Sequence, residues 1–177
     1  MPSNGTGNSL FSILDETAGG SQLSPYFYLK TIHVISATVL FGTGLGTAFF
    51  KWIVDRTGNV TAIRVVSEKV VLADWLFTTP AIVVQAVTGV ALATLLGYPL
   101  THGWVAHAIV LFALAGVCWL PVVWLQLRMR DLAQASDRNG MPLDERYRRY
   151  ARMWFWLGIP AFTAVVGIFC LMIFKPG

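Results

Sequence analysis

Two histidines, His33 and His107, are the residues of this chain whose type and setting suggest chemistry, because each lies inside a long apolar stretch. A histidine within a membrane-spanning helix is costly to bury and by default indicates a functional site. At about 1.5 Å per helical residue, His33 lies roughly 10 Å and His107 roughly 6 Å below the start of its helix, in the same half of the membrane. Imidazole binds iron, copper and zinc. If the two helices face each other, the pair can ligate one b-type haem iron or one copper ion.

Three further residues belong to this candidate site. Lys30 lies one turn above the first histidine and Trp104 opens the helix of the second, and these residues, or Lys175, are candidates to hold haem propionates. Gln85 lies near the middle of the second apolar stretch, where it needs a hydrogen-bond partner from a neighbouring helix. It either links helices or lines a cofactor or substrate cavity. The alternative that both histidines are polar residues satisfied by packing stays open.

The composition places these residues in a membrane. Of 177 residues, 55% are hydrophobic and 12% are charged, whereas a soluble domain carries about 25% charged residues. Apolar stretches at about 26–54, 70–96, 103–127 and 153–174 are each long enough to cross a hydrocarbon core, which takes roughly 20 helical residues. Because backbone polar groups must be paired there, residues 25–177 are predicted to form an all-α membrane bundle of four helices. Residues 1–24 are polar and predicted to be flexible.

The basic residues predict how the bundle is oriented. Eleven of the 13 lysines and arginines lie in the linkers 51–69 and 128–152, which leaves only Lys30 and Lys175 elsewhere. The positive-inside rule then places both linkers in the cytoplasm and both termini on the outer, periplasmic side of a bacterial inner membrane. The arginine clusters are expected to face anionic lipid head groups. The net charge of +4 indicates no nucleic-acid partner.

The second apolar stretch carries an acid and a proline. Asp74, near its cytoplasmic end, is expected to form an ion pair with Lys51 or Lys69. Pro80 is expected to kink the helix, with a neighbouring threonine covering the backbone groups that the kink frees. In the first stretch, Gly42 to Gly46 is expected to permit close helix contact through small residues.

Several blocks of sequence resemble a known family. They are Tyr28–His33 with Phe41–Gly44, Phe77–Pro80 with Gln85 and Thr88–Gly89, and Cys118–Gln126. Together they resemble a bacterial family of predicted integral membrane proteins, the domain of unknown function twenty-two sixty-nine, over about residues 26–176. The resemblance implies four helices in a bacterial membrane and supplies no established activity.

A second resemblance rests on shorter blocks and implies haem. Leu29–His33, Gly103–Trp104 and the ending from Ile159 to Pro176 resemble the HemJ-type protoporphyrinogen oxidases and, more loosely, the CopD copper-resistance membrane proteins. The HemJ type binds haem b, and its first-helix histidine corresponds to His33. The chain has His107-Ala108 and Leu157-Gly158 where that type has a lysine and Asn-Glu. The resemblance therefore implies haem binding rather than the oxidase reaction.

The function predicted from the sequence is that of a b-type haem-binding membrane protein with an electron-transfer or porphyrin-related redox role. Its axial ligands are His33 and His107. One alternative is a cofactor-free accessory subunit of a larger membrane complex, in which Gln85 and the glycine faces serve protein contacts. Another is copper handling at the outer face. No catalytic residue is predicted, because the acids lie on the cytoplasmic side and the histidines on the outer side.

Overall fold

Five α-helices and one π-helical segment make up the part of the chain that the structure describes. The computed structural model describes the backbone of residues 7–176 and the side chains of residues 25–176. The helices are α1 (Gly7–Thr57), α2 (Val60–Ala73), α3 (Thr79–Leu95), α4 (Gly103–Arg138) and α5 (Glu145–Phe174), and the π-helical segment Asp74–Thr78 joins α2 to α3. No strand occurs in residues 7–176.

Four continuous helical stretches are long and apolar enough to cross a membrane. They are Pro25–Thr57, Val60–Leu95, Gly103–Arg138 and Glu145–Phe174. The predicted all-α architecture with four spans is therefore confirmed for the described residues. Residues 1–6 and the side chains of residues 7–24 lie outside the description, so the flexibility expected for 1–24 stays a prediction.

The links between helices follow from local chemistry. Between α1 and α2, Gly58 takes a positive φ of 67°, which glycine tolerates without steric cost. Asn59 then caps α2 by accepting a hydrogen bond from the backbone N–H of Ala62 at 3.0 Å. Asp144 caps α5 in the same way through the N–H of Arg146 at 2.8 Å. The link between α4 and α5 covers residues 139–144.

The helices pack as two pairs. One consists of α1 packed against the rod formed by α2, the π-helical segment and α3. The other consists of α4 packed against α5. The pairs meet where α2 packs against α4. They therefore meet at the end of the bundle that carries linkers 51–69 and 128–152, called here the basic end.

Apolar burial is concentrated towards the basic end. Leu125, Met129 and Ala133 follow one another at four-residue steps on α4 and are at most 1% exposed. Ile63 of α2 and Tyr147 of α5 pack with them. Residues three and four apart share one helix face, so one face of α4 receives both α2 and α5.

Polar contacts fasten the same end. The Lys51 ammonium of α1 is 1% exposed and donates to Asp55 at 3.0 Å and to the hydroxyl of Tyr147 on α5 at 2.6 Å. The guanidinium of Arg64 on α2 bonds to Asp137 on α4 at 2.6 Å. The Lys51–Tyr147 and Arg64–Asp137 contacts each join one helix pair to the other, because α1 and α2 belong to one pair and α4 and α5 to the other. The Lys51–Asp55 contact lies within α1.

The close helix contact expected at the α1 glycines is wrong. A Cβ added at Gly42, Gly44 or Gly46 would meet no atom of the described chain within 4 Å. Small residues along a helix leave space, and in α1 no neighbouring helix fills it.

Candidate functional site

His33 is buried between α1 and α3 and is hydrogen-bonded through both ring nitrogens. Its Nδ1 lies 2.8 Å from the hydroxyl of Thr88 and its Nε2 lies 3.0 Å from the amide nitrogen of Gln85. The hydroxyl of Ser36 donates to Gln85 Oε1 at 2.5 Å. Gly89 makes room for the imidazole, since a Cβ there would lie 3.3 Å from His33 Cε1. These four side chains, His33, Ser36, Gln85 and Thr88, are called here the His33 network.

The bond directions assign one tautomer to the histidine. The Gln85 amide nitrogen can only donate, so His33 Nε2 accepts. The Thr88 hydroxyl donates to the carbonyl of Val84 at 2.6 Å, so its oxygen accepts from His33 Nδ1–H. His33 is then a neutral imidazole with its proton on Nδ1, an assignment that rests on the network. The partner expected for Gln85 on a neighbouring helix is confirmed: it is His33, with Ser36 beside it.

The other residues of the predicted site lie apart from this network. His107 is exposed on α4, and its Nδ1 lies 2.9 Å from the carbonyl of Gly103 in the same helix. Trp104 packs edge-on against Tyr98, with ring centroids 5.3 Å apart. The ammonium of Lys30 lies 5.4 Å above the ring of Tyr26. Within the described chain, α1 and α4 do not form a packed pair, so the structure does not bring His107 to His33.

The arrangement around His33 does not fit a haem iron as it stands. An axial ligand needs a ring nitrogen free to face the metal, and both nitrogens of His33 have protein partners. For a metal ion without a porphyrin, residues 25–176 contain no group of three or more His, Cys, Asp or Glu side chains that could hold it. Ligation by His33 and His107 stays a prediction, and it requires the His33 network to open.

A cavity of about 420 Å³ lies between the two helix pairs. It is called here the central cavity. Its wall is largely apolar and is contributed by α1, the π-helical segment, α3, α4 and α5; the apolar residues include Leu40, Phe41, Ile82, Phe112, Trp119 and Phe169. Glycines from three helices, Gly44, Gly116 and Gly158, also line it, and a Cβ at any of them would meet no described atom within 4 Å. The absent side chains therefore help to form the cavity.

The central cavity opens between α1 and α5. The lining residues from α3, α4 and the π-helical segment are buried or half-buried. By contrast, Leu45 of α1 is 49% exposed, and Phe155 and Ile159 of α5 are 45% and 43% exposed. In a membrane this side of the bundle faces lipid, so the opening leads into the bilayer.

Four polar side chains line the wall of the central cavity on the side of α3 and α4: Asp74, Thr78, Gln85 and Gln126. Asp74 is 6% exposed and accepts a hydrogen bond from Thr78 at 2.9 Å. The ion pair expected for Asp74 is wrong. Lys51 bonds to Asp55 and Tyr147 instead, and no cation of the described residues pairs with Asp74.

The π-helical segment positions this acid. It ends just before Pro80, whose ring cannot donate a backbone hydrogen bond. The hydroxyl of Thr79 donates to the Asp74 carbonyl at 2.9 Å, and the same carbonyl accepts the Thr79 backbone N–H. The carbonyl that Pro80 frees is that of Trp75 or Leu76, so the threonine cover expected there stays a prediction. One-turn π-helices are frequent at functional sites. Here the segment places both Asp74 and Thr78 on the cavity wall.

Trp154 adds an unsatisfied donor to the same cavity. Its side chain is 8% exposed and lines the cavity, and its Nε1–H is the one buried side-chain polar atom without a partner among the described residues. A buried indole N–H normally has a partner. The sequence gives little signal of this role, because a tryptophan near the end of an apolar stretch is typical of a membrane-interface anchor.

The comparisons with known proteins identify the family. A family model described as "Predicted integral membrane protein (DUF2269)" matches residues 27–176. The chain therefore belongs to this family of predicted integral membrane proteins. Neither a curated protein nor a solved structure matches the chain. The similarity to the HemJ and CopD types stays a resemblance of short blocks.

Proposed function

We propose that this protein binds a lipid-soluble molecule with a small polar head in the central cavity, and that the molecule enters from the bilayer between α1 and α5. One observation carries the proposal: Trp154, whose indole N–H is buried without a partner, lies on the wall of a largely apolar cavity. A buried donor left unpaired costs about 1–3 kcal/mol. A ligand that supplies the acceptor removes that cost.

The lining chemistry indicates what kind of molecule fits. The volume of about 420 Å³ lies within the roughly 300–1,000 Å³ usual for small-molecule sites. The apolar wall suits a hydrocarbon or aromatic body. The head must accept a hydrogen bond from Trp154, and Asp74 and Gln126 favour a head that also donates one. Hydroxyl groups do both, so a long-chain alcohol or a phenol meets the requirement.

The His33 network supports this site from behind. Gln85 belongs to both the network and the cavity wall, whereas His33 itself does not line the cavity. Interhelical hydrogen bonds hold membrane helices together. The network therefore fixes the α1–α3 wall and orients the amide of Gln85.

The direct test compares two glycine variants of α1. Gly44→Leu places a side chain into the central cavity, whereas Gly42→Leu adds the same group at an exposed position that does not line it. Each purified protein is extracted with organic solvent, and the bound molecules are measured by mass spectrometry. A spin-labelled long-chain alcohol serves as an added probe. We expect Gly44→Leu to lose the extracted molecule and the immobilised probe signal, and Gly42→Leu to retain both.

A second pair of variants tests the polar contact. Trp154→Phe removes the indole N–H from the cavity, and Trp156→Phe makes the same change at a residue of α5 that is 68% exposed. We expect Trp154→Phe alone to weaken probe binding by about three- to tenfold, the value of one hydrogen bond. Equal occupancy in all four variants would overturn the proposal, as would a protein that carries no extractable molecule and instead purifies with a stoichiometric partner subunit.

The haem hypothesis is tested on the same preparation. If His33 ligates a haem iron with a redox role, protein from haem-replete cells should show a Soret band and reduced α and β bands, and His33→Ala should lose them. One of the two bonds from His33, to Gln85 or to Thr88, must then open. A colourless folded protein would contradict haem binding and leave the cavity proposal intact.

The basic end is proposed to lie in the cytoplasm, with both termini outside a bacterial inner membrane and the arginines against anionic lipid head groups. The support is the distribution of Lys and Arg, of which only Lys30 and Lys175 lie outside linkers 51–69 and 128–152. Reporter fusions that are active only in the periplasm or only in the cytoplasm test this. If a reporter that is active only in the cytoplasm were active when fused to the C-terminus, the orientation would be the opposite of the one proposed.

A further inference from the structure

A second cavity, of about 590 Å³, lies at the basic end between the α1–α2 link and the start of α5. Arg56 and Gly58 line one side, and Leu143, Arg148 and Arg152 line the other. The cavity with its three arginines, Arg56, Arg148 and Arg152, is called here the basic pocket. All three arginines are exposed, so the pocket is open to molecules outside the bundle.

The charge of the basic pocket is not balanced by the protein. None of the three arginines forms an ion pair within residues 25–176. Asp55 also lines the pocket, but its carboxylate accepts from Lys51 at 3.0 Å and from the Tyr147 hydroxyl at 2.6 Å. Lys51 offsets the charge of Asp55. The pocket therefore presents three uncompensated guanidinium groups.

The positions of these arginines favour a bound anion. Arg148 and Arg152 are four residues apart on α5, and like charges at this spacing destabilise a helix. Arg56 lies over the ring of Trp52, with its guanidinium carbon 3.9 Å from the ring centroid. Stacking on an aromatic ring restrains the planar group. An anion between the two sides would relieve the repulsion on α5 and join α5 to the end of α1.

We propose that the basic pocket binds a phosphate group, and that an anionic phospholipid supplies it. Guanidinium groups match phosphate geometry with paired hydrogen bonds, and basic pockets between membrane helices bind lipid head groups. Val60, Leu143 and Ala151 give the pocket an apolar side suited to the glycerol and first methylenes. The inference deepens the proposed contact of the basic end with anionic lipid and rests on it, but it assigns one defined site and is independent of the central cavity.

The test uses the full chain in nanodiscs of phosphatidylcholine with or without phosphatidylglycerol, and native mass spectrometry counts the retained lipids. We expect one phosphatidylglycerol to be retained per chain, and Arg148→Gln and Arg152→Gln each to lower its occupancy by about tenfold. The matched control is Arg149→Gln, an exposed arginine of the same helix that does not line the pocket. It should retain the lipid.

A second arm separates lipid from free phosphate. Inorganic phosphate is titrated into detergent-solubilised protein while thermal unfolding is followed. Stabilisation by phosphate that Arg152→Gln removes, without retention of phosphatidylglycerol, would assign the pocket to free phosphate. If Arg149→Gln and Arg152→Gln lowered the occupancy of phosphatidylglycerol equally, the basic pocket would not be a defined site. The diffuse attraction of the basic end to anionic lipid would still stand. If the protein showed no preference for phosphatidylglycerol and no effect of phosphate, both the basic pocket as a phosphate site and the contact of the basic end with anionic lipid would be overturned.

Discussion

The imidazole of His33 is fully engaged by side chains of its own bundle. Its Nδ1–H donates to Thr88 and its Nε2 accepts from Gln85, and both partners lie on α3. In hydrocarbon no water is available to replace either partner. These bonds therefore act first to hold α1 against α3, which is one wall of the central cavity.

A double-mutant cycle measures this role. His33→Leu and Gln85→Leu each leave a buried polar partner unpaired, so each should lower the free energy of unfolding by about 0.6–1.7 kcal/mol per lost hydrogen bond. The double variant should cost less than the sum, because neither member of the His33–Gln85 pair is then left without the other. The measurement is unfolding in mixed detergent micelles. His107→Leu is the control, since that side chain is exposed and bonds only to its own helix. Additive losses would contradict the coupling.

The sequence predicts the hydrogen-bond partner that Gln85 needs, but it does not predict where His107 lies relative to His33. A glutamine in mid-membrane must find a partner on a neighbouring helix, so the bond to α1 follows from chemistry alone. Depth along a helix, by contrast, does not say which helices are neighbours. His33 and His107 have similar predicted depths, but α1 packs against α3 and α4 packs against α5.

At the scale of the helix, Pro80 and the π-helical segment form one unit. A proline inside a helix leaves backbone groups without partners. The Thr79 hydroxyl adds a side-chain bond to the Asp74 carbonyl at 2.9 Å, which also accepts the Thr79 backbone N–H across the π-helical turn. The sequence predicts the kink and its threonine. It does not predict that the irregularity takes a π-helical form and places Asp74 on the cavity wall, because no residue type specifies that register.

Thr79→Val tests the side-chain bond within the π-helical segment. The variant removes the hydroxyl that covers the Asp74 carbonyl, so we expect unfolding to become easier by about 0.6–1.7 kcal/mol. Thr94→Val is the matched control: its hydroxyl bonds to Val90 and Ala91 carbonyls at an exposed position, and little change is expected there. Both are measured by thermal unfolding in the same detergent. A larger effect at Thr94 would contradict this account of the π-helical segment.

The glycines of α1 show why small-residue patterns are ambiguous. A missing side chain permits either close helix contact or empty space, and sequence spacing is the same in both cases. Gly44 lies on the wall of the central cavity, with no atom within 4 Å of an added Cβ. Only the positions of the neighbouring helices decide between the two outcomes.

Across the whole molecule, the two helix pairs are fastened at one end and separated by a cavity beyond it. Hydropathy predicts the four spans well, because the length needed to cross a bilayer is a strong constraint. It does not predict the pairing, because in a membrane lipid-facing and helix-facing surfaces are equally apolar. Phe112 lines the cavity and Val110 is 65% exposed, and their residue types do not distinguish them.

Lys51 forms one of the polar contacts that hold the two helix pairs together, through its bond to Tyr147. Lys51→Met removes the bonds to Asp55 and Tyr147, and we expect a loss of about 1–3 kcal/mol in the free energy of unfolding. The control is Lys69→Met, an exposed lysine of α2 without an ion pair among the described residues. Chemical unfolding in detergent compares the two. Equal stability of both variants would show that the apolar packing around Met129 holds the end without the polar contacts.

The mouth of the central cavity is the last feature that belongs to the whole molecule, because α1 and α5 come from different pairs. Phe41 of α1 stacks on Phe162 of α5 with ring centroids 4.9 Å apart, and both line the cavity. With Cys118 and Cys170 replaced by alanine, the variants Phe41→Cys and Phe162→Cys can be joined by a short bis-methanethiosulfonate reagent, which forms a disulfide with each thiol and releases methanesulfinate. We expect the joined protein to exchange a spin-labelled long-chain alcohol more slowly, and a reductant that cleaves the link to restore the rate.

The control link joins α4 to α5 instead. An added Cβ at Gly167 would lie 3.1 Å from Leu111, so cysteines at these two positions join helices that are already packed and leave the mouth free. That link should not change the exchange rate. If both links slowed exchange equally, rigidity rather than entry between α1 and α5 would control access. If neither did, the alcohol would enter elsewhere. Slower exchange with the first link alone follows only if the two helix pairs separate between α1 and α5 to admit the molecule.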